Sequence, residues 1–537
     1  MRVLPGACRR LASLLLMFSS TLAFACEGLP AGQTLWIRLS SPVSSYSSKV
    51  GDTVHAVLIE AVTCDSGMVF SLGTKIDGRV VSVRKVGWGI RHETAALQLQ
   101  FDRAIPTESS PVVMSAVVVE VENAREQVFK GVIRGVRSSD SPQGRINSRL
   151  RHLPTWNPYS DVGLIVFKAA FPIFPEPEIY FPAGTDLRIK LTEPTPAVVT
   201  EPKSSAEPSR GSGVDQTENS EFESLAQSLP QHSTTVKQVD ADVVNLVFVG
   251  SRQEVESAFQ QAGWSTSDTF SKKSFFRDSY AFLNDSGYAR APMRPFLLDG
   301  KPADMNWQKS LNSYARRDHL RVWQWPGSTD SETVWVSSST HDTGATLSLE
   351  HRQFVHHITP DIDEERSKVI RDLNVAGCVK AVHLVSRPKM ASITQNATGD
   401  LVSTDGALAV VELKECRPMV PGLVSGNVAT QFRPGNRLFR YFRRQILTFR
   451  SDIWRANIIY GVYDLTRMSV IAWRHHTALT HEPNMYIGPV QPQLAANPNG
   501  RKERNGAPKC YQFELFGGNT AVIHRMCCNF QSCWLVT

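Results

Sequence analysis

Leu29-Pro-Ala-Gly-Gln-Thr-Leu-Trp-Ile-Arg-Leu39 returns, 152 residues further on, as Phe181-Pro-Ala-Gly-Thr-Asp-Leu-Arg-Ile-Lys-Leu191. Aligned over 29–44 and 181–196, seven of sixteen positions are identical. In each copy a Pro-Ala-Gly turn opens onto alternating apolar residues, Leu35, Ile37 and Leu39 in the first and Leu187, Ile189 and Leu191 in the second. A period of two puts three apolar side chains on one face of a strand. One isolated echo is too little for a solenoid. It fits a first and a last strand that pair to close a barrel or sandwich. Between the copies lie more short β-branched runs, Thr53 to Ile59, Arg79 to Val83, Leu97 to Phe101 and Val112 to Val121, punctuated by Gly, Pro, Asp and Ser. Residues 26–191 therefore read as an all-β barrel or sandwich.

This stretch resembles the β-rich domain of TrbI-like conjugation proteins. The matching features are the Pro-Ala-Gly-Thr strand start, Ser44-Ser45 ahead of Gly51-Asp52, and Gly67 to Gly78 ahead of a strand.

Upstream, Arg2, Arg9 and Arg10 precede the apolar run Leu11 to Phe24, and Ala23-Phe24-Ala25 offers a small-x-small cleavage site. Residues 1–25 read as a signal peptide, so the chain is expected to be exported, periplasmic or extracellular. Cys26, directly after that site, would allow envelope anchoring by lipidation, although Ala23 and Phe24 depart from a lipobox. The 537 residues carry 42% hydrophobic and 20% charged side chains, ordinary globular usage for two or three domains. The formal charge of +7 falls to 7 − 3 = +4 without the leader arginines, so bulk charge gives no argument for nucleic acid. Eight cysteines remain after Cys8, and an oxidising compartment permits bridges, with Cys378 to Cys416 a plausible pair flanking one core. His524, Cys527, Cys528 and Cys533 match no standard metal spacing and read as disulfides or free thiols.

Residues 192–238, rich in Pro, Ser, Glu and Thr, read as a disordered linker. Beyond them the pattern turns to α+β over 239–418. Val243 to Val249 is a buried strand, and Ser251 with Glu254 forms a capping box for a helix ended by Gly263. Strands follow at His319 to Trp323, Val334 to Ser338 and Ala345 to Glu350. A helix over Ile362 to Val375 and strands at Val379 to Val385 and Leu408 to Leu413 complete the domain. The fold class expected is thus multidomain, an N-terminal all-β unit and then a mixed α+β unit.

Polar residues gather at the ends of these elements. His319, Arg321, His341, Asp342, His357 and Asp361 are the candidate catalytic residues. Of these, His319, His341, His357 and Asp361 are the candidate ligands of a divalent metal ion. Imidazoles with a carboxylate suit Zn²⁺ with an open position, which would activate water against an ester or phosphoester, while Arg321 holds an anionic group. The structural alternative makes Asp361 a helix N-cap with Glu364 its capping partner, pairs Glu364 with Lys368, and turns the histidines into a hydrogen-bonded network. Ser337 to Ser339 beside His341 cannot form a triad along one strand. No Gly-x-Ser-x-Gly elbow and no phosphate-cradling loop occur in the sequence.

The segment resembles the LssY C-terminal domain family. The likeness rests on Asn245-Leu-Val-Phe-Val-Gly-Ser251, Ala262-Gly-Trp264, His319-Leu-Arg-Val-Trp323, Thr340-His-Asp-Thr-Gly344, His357-Ile-Thr-Pro-Asp-Ile-Asp-Glu-Glu-Arg366 and Thr404-Asp-Gly406, and covers about 240 to 415. It implies a domain often set beside membrane modules of the lipid-phosphatase and DedA types, which this sequence lacks. It implies no particular reaction.

Past Pro418, residues 419–475 read as a basic helical extension. Phe439, Phe442, Ile446, Phe449 and Ile453 step by three and four, with Arg433, Arg437, Arg440, Arg444 and Arg455 on the other side. Such a helix suits an anionic membrane surface, or docks on the second domain with its arginines solvated. Residues 476–537 read as an irregular cysteine-containing tail. The function expected is an exported cell-envelope protein, binding or envelope-associated; the alternative is a hydrolase of a phosphoester or ester acting through the His/Asp cluster, with or without a metal.

Overall fold

The echoed segments lie side by side. A computed structural model describes residues 28–64, 67–106, 110–137, 141–142, 159–160, 162–163, 166, 176–196, 216–326, 333–348, 353–418, 435–456, 509–517, 520–528 and 533–536. The leader and Cys26 lie outside the described residues, as do 419–434, which include Arg433, and 457–508. Six strands follow one another around a ring: β1 (Thr34–Leu39), β2 (Thr53–Leu58), β3 (Lys75–Arg84), β4 (Ala96–Ile105), β5 (Val112–Val121) and β6 (Asp186–Leu191). Each pairs antiparallel with the next, and β6 pairs back to β1 with Leu187 opposite Ile37 and Ile189 opposite Leu35. The β domain is therefore a closed six-stranded barrel. Closure leaves its strands no free edge.

Alternation explains the filling. Leu35, Ile37, Leu39, Leu187, Ile189 and Leu191 point inward with Val54, Ile76, Leu99, Phe101, Ala116 and Val118. Gly78 sits where β3 is bulged, and a Cβ there would meet the Gln100 carbonyl oxygen at 2.3 Å, so only glycine lets the two strands approach.

The second domain is a mixed sheet. Its strands are β7 (Leu246–Val249), β8 (Met305–Lys309), β9 (Arg317–Gln324), β10 (Val334–Ser348), β11 (Gln353–Ile358), β12 (Val379–Ser386) and β13 (Ala407–Leu413). They run in the order β8-β9-β10-β7-β13-β12, with β11 on the far half of β10. Only β7 with β13 is parallel in that path. Helices α1 (Gln216–Ser228), α2 (Arg252–Gln261), α3 (Lys272–Asn284) and α4 (Ile362–Val375) surround it. Residues Phe248, Phe259, Trp264, Trp307, Leu320, Val369 and Leu373 fill the face under α2 and α4. Val247, Trp323, Val336 and Val410 fill the other, with Ala226 and Leu229 from α1 and the turn after it.

Several expectations change. The part of the 192–238 linker that is described carries α1 and the strand His232–Thr234, because Ala226 and Leu229 supply the apolar stripe that docks on the sheet. Val334 to Ser338 and Ala345 to Glu350 belong to one long strand, bulged between Asp342 and Gly344. Strand β11 and helix α3 were not expected. The tail contains a three-stranded meander, Lys509–Gly517, Thr520–Cys528 and Cys533–Val536, rather than irregular chain. Cys378 and Cys416 form a disulfide.

The capping box of α2 is present as expected, Ser251 accepting from the Glu254 amide and Glu254 from the Ser251 amide. Ser251→Ala is expected to lower stability by about 1 kcal/mol in denaturant titration. No change would mean that packing of Val255 and Phe259 alone sets the helix start.

Candidate functional site

Strands β9 and β10 form the site, and their register decides it. Asp318 stands opposite His341, Arg317 opposite Asp342, His319 opposite Thr340 and Arg321 opposite Ser338. Successive side chains alternate, so Arg317, His319, Arg321 and Asp342 share one face while Asp318 and His341 share the other. The six candidates are thus divided by the sheet.

On the His341 face, Asp318 is fully buried. It takes His341 Nδ1 at 2.6 Å, Lys368 Nζ at 3.0 Å and Asn123 Nδ2, from the barrel, at 2.7 Å. Helix α4 lays Glu365, Lys368 and Asp372 on this side, spaced three and four apart. Asp372 accepts from Lys309 Nζ at 2.9 Å, Trp264 Nε1 at 3.0 Å and Arg38 Nη2, on barrel strand β1, at 3.2 Å. Arg38 also grips Asp186 of β6 at 2.6 and 2.9 Å. Glu122, just past β5, meets Lys368 at 3.2 Å and Arg371 at 3.5 Å. Arg371 stacks its guanidinium 4.4 Å from the ring centre of Trp36. The outer face of β1 and β6 is therefore covered by α4, and a buried ionic network joins the two domains.

Burial and neighbours split the carboxyls of this network. Burial alone would raise Asp318 and Asp372, but Lys368 with His341 for the first, and Lys309 with Lys368 for the second, hold both far below the usual range. Burial pushes Glu122 up to about 7 against the pull of Lys368. Burial, with Asp318 beside it, pushes Glu365 well above the usual carboxyl range. Burial opposes the charge on His341, yet its hydrogen bond to Asp318 raises it overall.

On the opposite face Asp342 is the hub. Arg317 Nε donates to it at 3.2 Å, His356 Nδ1 lies at 3.1 Å and His319 Nε2 at 3.5 Å. Arg317 Nη2 approaches His356 Nε2 at 2.8 Å, which leaves the ring proton on Nδ1. Burial holds His319 well below, and His356 below, the ordinary imidazole value, so both rings are neutral at pH 7. Arg321 donates to Asp242 at 2.6 Å and stacks 4.1 Å from the Phe296 centroid.

The remaining candidates stand apart. His357 Nδ1 pairs with Asp400 at 2.9 Å, which raises it. Asp361 caps α4, accepting from the amides of Asp363 and Glu364 at 3.1 and 3.2 Å. Glu364 does not close a capping box or pair with Lys368; it receives Arg188 of the barrel at 3.3 Å instead. The expected metal set of His319, His341, His357 and Asp361 therefore does not converge. The described residues whose ligand atoms do come together are Asp318, His341 and Glu365, all within 4.8 Å of one another. The sequence pattern did not single out Asp318 or Asp372, and it placed Lys368 only as a partner of Glu364. The Glu365, Lys368, Asp372 spacing was the available signal.

The fold and site define a barrel joined through buried charge to an α+β domain. Residues 226–408, about a third of the chain, match the family model for the LssY C-terminus, so the second domain is similar to that family. The match begins within α1, in keeping with that helix packing on the domain. No curated protein matches the chain. A solved structure similar to it is ComB10 of the Com type IV secretion system of Helicobacter pylori, at 12% identity and a TM-score of 0.19, covering 31% of this chain and 88% of that one. So weak a likeness carries no argument about function.

Proposed function

We propose that this chain is an exported cell-envelope protein that works by binding, its barrel and LssY-type domain acting as one body. The reading draws on the leader, Arg2 to Ala25, for export. The observation that carries the binding role is the fate of the six candidates. Arg321, His341, Asp342 and His357 each hold a charged partner, Asp361 caps a helix, and His319 is shut in beside Asp342. Groups spent on structure and divided between two faces do not meet at one reacting atom.

His341→Ala should then lower stability by about 1–3 kcal/mol, the loss of a hydrogen bond to a charged group, and change no hydrolytic activity. Fractionation should find the full chain outside the cytoplasm and shortened by its leader. Cytoplasmic retention of the intact chain would sink the export reading. An esterase or phosphoesterase activity abolished by His341→Ala would sink the binding reading.

A second reading, metal-assisted hydrolysis of an ester or phosphoester, draws on Asp318, His341 and Glu365, since Glu365 Oε1 is buried with no hydrogen-bond partner. Against it, Lys368 Nζ at 3.0 Å from Asp318 already supplies the positive charge that an ion would bring. Stoichiometric metal in the purified chain, lost on Glu365→Gln, would favour this second reading.

A further inference from the structure

We propose that helix α5 (Arg437–Ala456) and the barrel loop around Trp88 form one surface that lies on an anionic phospholipid bilayer; this deepens the envelope reading by naming a partner. The helix does not dock by the whole of its apolar stripe, since Phe442 and Ile446 face out. Arg443 points inward and is buried, with Nη1 at 2.7 Å from both oxygens of Glu176, Nη2 at 3.4 Å from Glu178, and Nε donating to the Gly87 carbonyl at 2.8 Å. Leu447, one turn on, joins the barrel core. Phe439, one turn back, meets Trp88 edge-on at 4.9 Å.

With 439, 443 and 447 against the barrel, helical periodicity turns the flanking apolar residues out. Leu438 is 69%, Phe442 57%, Ile446 44% and Tyr441 43% exposed. The loop adds Ile90 at 81% and Trp88 at 38%. Because Trp88 touches Phe439 and Gly87 holds Arg443, loop and helix present a single apolar patch. A contiguous patch of this kind marks a contact surface.

Charge selects the occupant. Residues 437–456 contain six arginines, of which Arg443 is taken up by Glu176 and Glu178, and one acid, Asp452. Arg437 on the helix and Lys85 and Arg91 beside the loop are exposed, with Glu93 the one acid of 84–94. The nearby acids Glu176 and Glu178 are buried on the inner side of the helix, where they share Arg443. Aromatic and aliphatic tips within a basic rim fit the interface of an anionic bilayer, where apolar groups enter the acyl boundary and arginines meet phosphates. At 20 residues α5 is about 30 Å long and would lie along the surface. Among the described residues no helix is long and apolar enough to cross a membrane.

The test is co-sedimentation of the purified full chain with phosphatidylethanolamine–phosphatidylglycerol vesicles and with phosphatidylcholine vesicles. Binding to the first, weakened by salt, and about tenfold tighter than to the second is expected. Phe442→Asp with Ile446→Asp should reduce it about tenfold or more, and Ile90→Asp, on the barrel side, should reduce it as well. These side chains are exposed, so circular dichroism should be unchanged. No preference for anionic vesicles, or binding indifferent to both sets of changes, overturns the proposal. Self-association abolished by the same substitutions, without vesicle binding, would give the patch to a second copy and overturn it equally. Vesicle binding does not depend on where the cell places the chain, so a failure of export, read by fractionation, stays separate.

Discussion

Asp372→Ala is expected to destabilise the protein by about 3–5 kcal/mol and to loosen the barrel from the second domain. The side chain is wholly buried between Arg38 of the barrel and Lys309 and Lys368 of its own domain, with Trp264 Nε1 as a fourth donor. Bringing these charges out of water is costly, and their mutual attraction roughly offsets that cost when every partner is present. Deleting the carboxylate leaves the cations. Arg38 keeps Asp186, and Lys368 keeps Asp318 and Glu122, but Lys309 is left with Asp186 at 3.5 Å. Asp372→Ala combined with Lys309→Met should therefore recover part of the loss, because an apolar side chain of similar length replaces an unpaired charge. Denaturant titration of the two singles and the double gives the coupling energy directly. Loss under about 1 kcal/mol on Asp372→Ala, or strict additivity with Lys309→Met, would mean that water reaches this junction and that the network does not hold the domains together.

The same junction shows what a sequence can and cannot display. Barrel closure was legible because two copies of one strand pattern each carried three inward residues, Leu35, Ile37, Leu39 and Leu187, Ile189, Leu191, and pairing is the simplest use of such a pair. The bounds of α4 were legible from Asp361 as N-cap and from the apolar spacing that follows. A strand's period tells which residues face out; it does not tell what lies over them. Arg38 and Asp186 alternate outward, as solvated residues do, and only the docking of α4 makes them buried. The histidine cluster failed for a related reason. Its members were grouped by nearness in sequence, whereas the one-to-one register of β9 on β10 sends His341 through the sheet from His319 and Asp342. For α5 the stripe divides, Phe439 facing the barrel while Phe442 and Ile446 face out, because an inward arginine with two buried glutamates sets which side docks. Long-range charge partners such as Glu176 and Glu178, some 270 residues away, leave no local pattern.

Glu122→Gln is expected to raise stability at pH 8–9 by up to about 3 kcal/mol while changing little near pH 5. Burial lifts the Glu122 carboxyl from 4.5 to about 7 in the folded chain, and each tenfold gain in proton affinity is worth about 1.4 kcal/mol. The sign follows from proton binding. A group whose folded value is raised favours the fold fully below its unfolded value, and that contribution is lost as pH rises through the folded value. Glu122 thus stabilises at pH 4.5 and below, and penalises the fold progressively through pH 7. His341, also raised, acts in the same direction above its own ordinary value. Asp318, Asp342 and Asp372 are held low, so their contributions are present above about pH 4 and vanish as pH falls through their folded values. The two trends together place maximal stability in the weakly acidic range. Glutamine keeps the neutral form of residue 122 at every pH, and its carbonyl can still accept from Lys368. Chemical denaturation at intervals from pH 5 to 9 should show a falling curve for the native chain and a flatter one for Glu122→Gln. The decline that remains should shrink again with His341→Asn. Parallel curves for the native chain and Glu122→Gln would mean that the residue stays ionised between Lys368 and Arg371, with the junction acting as a plain ion-pair lattice insensitive to neutral pH.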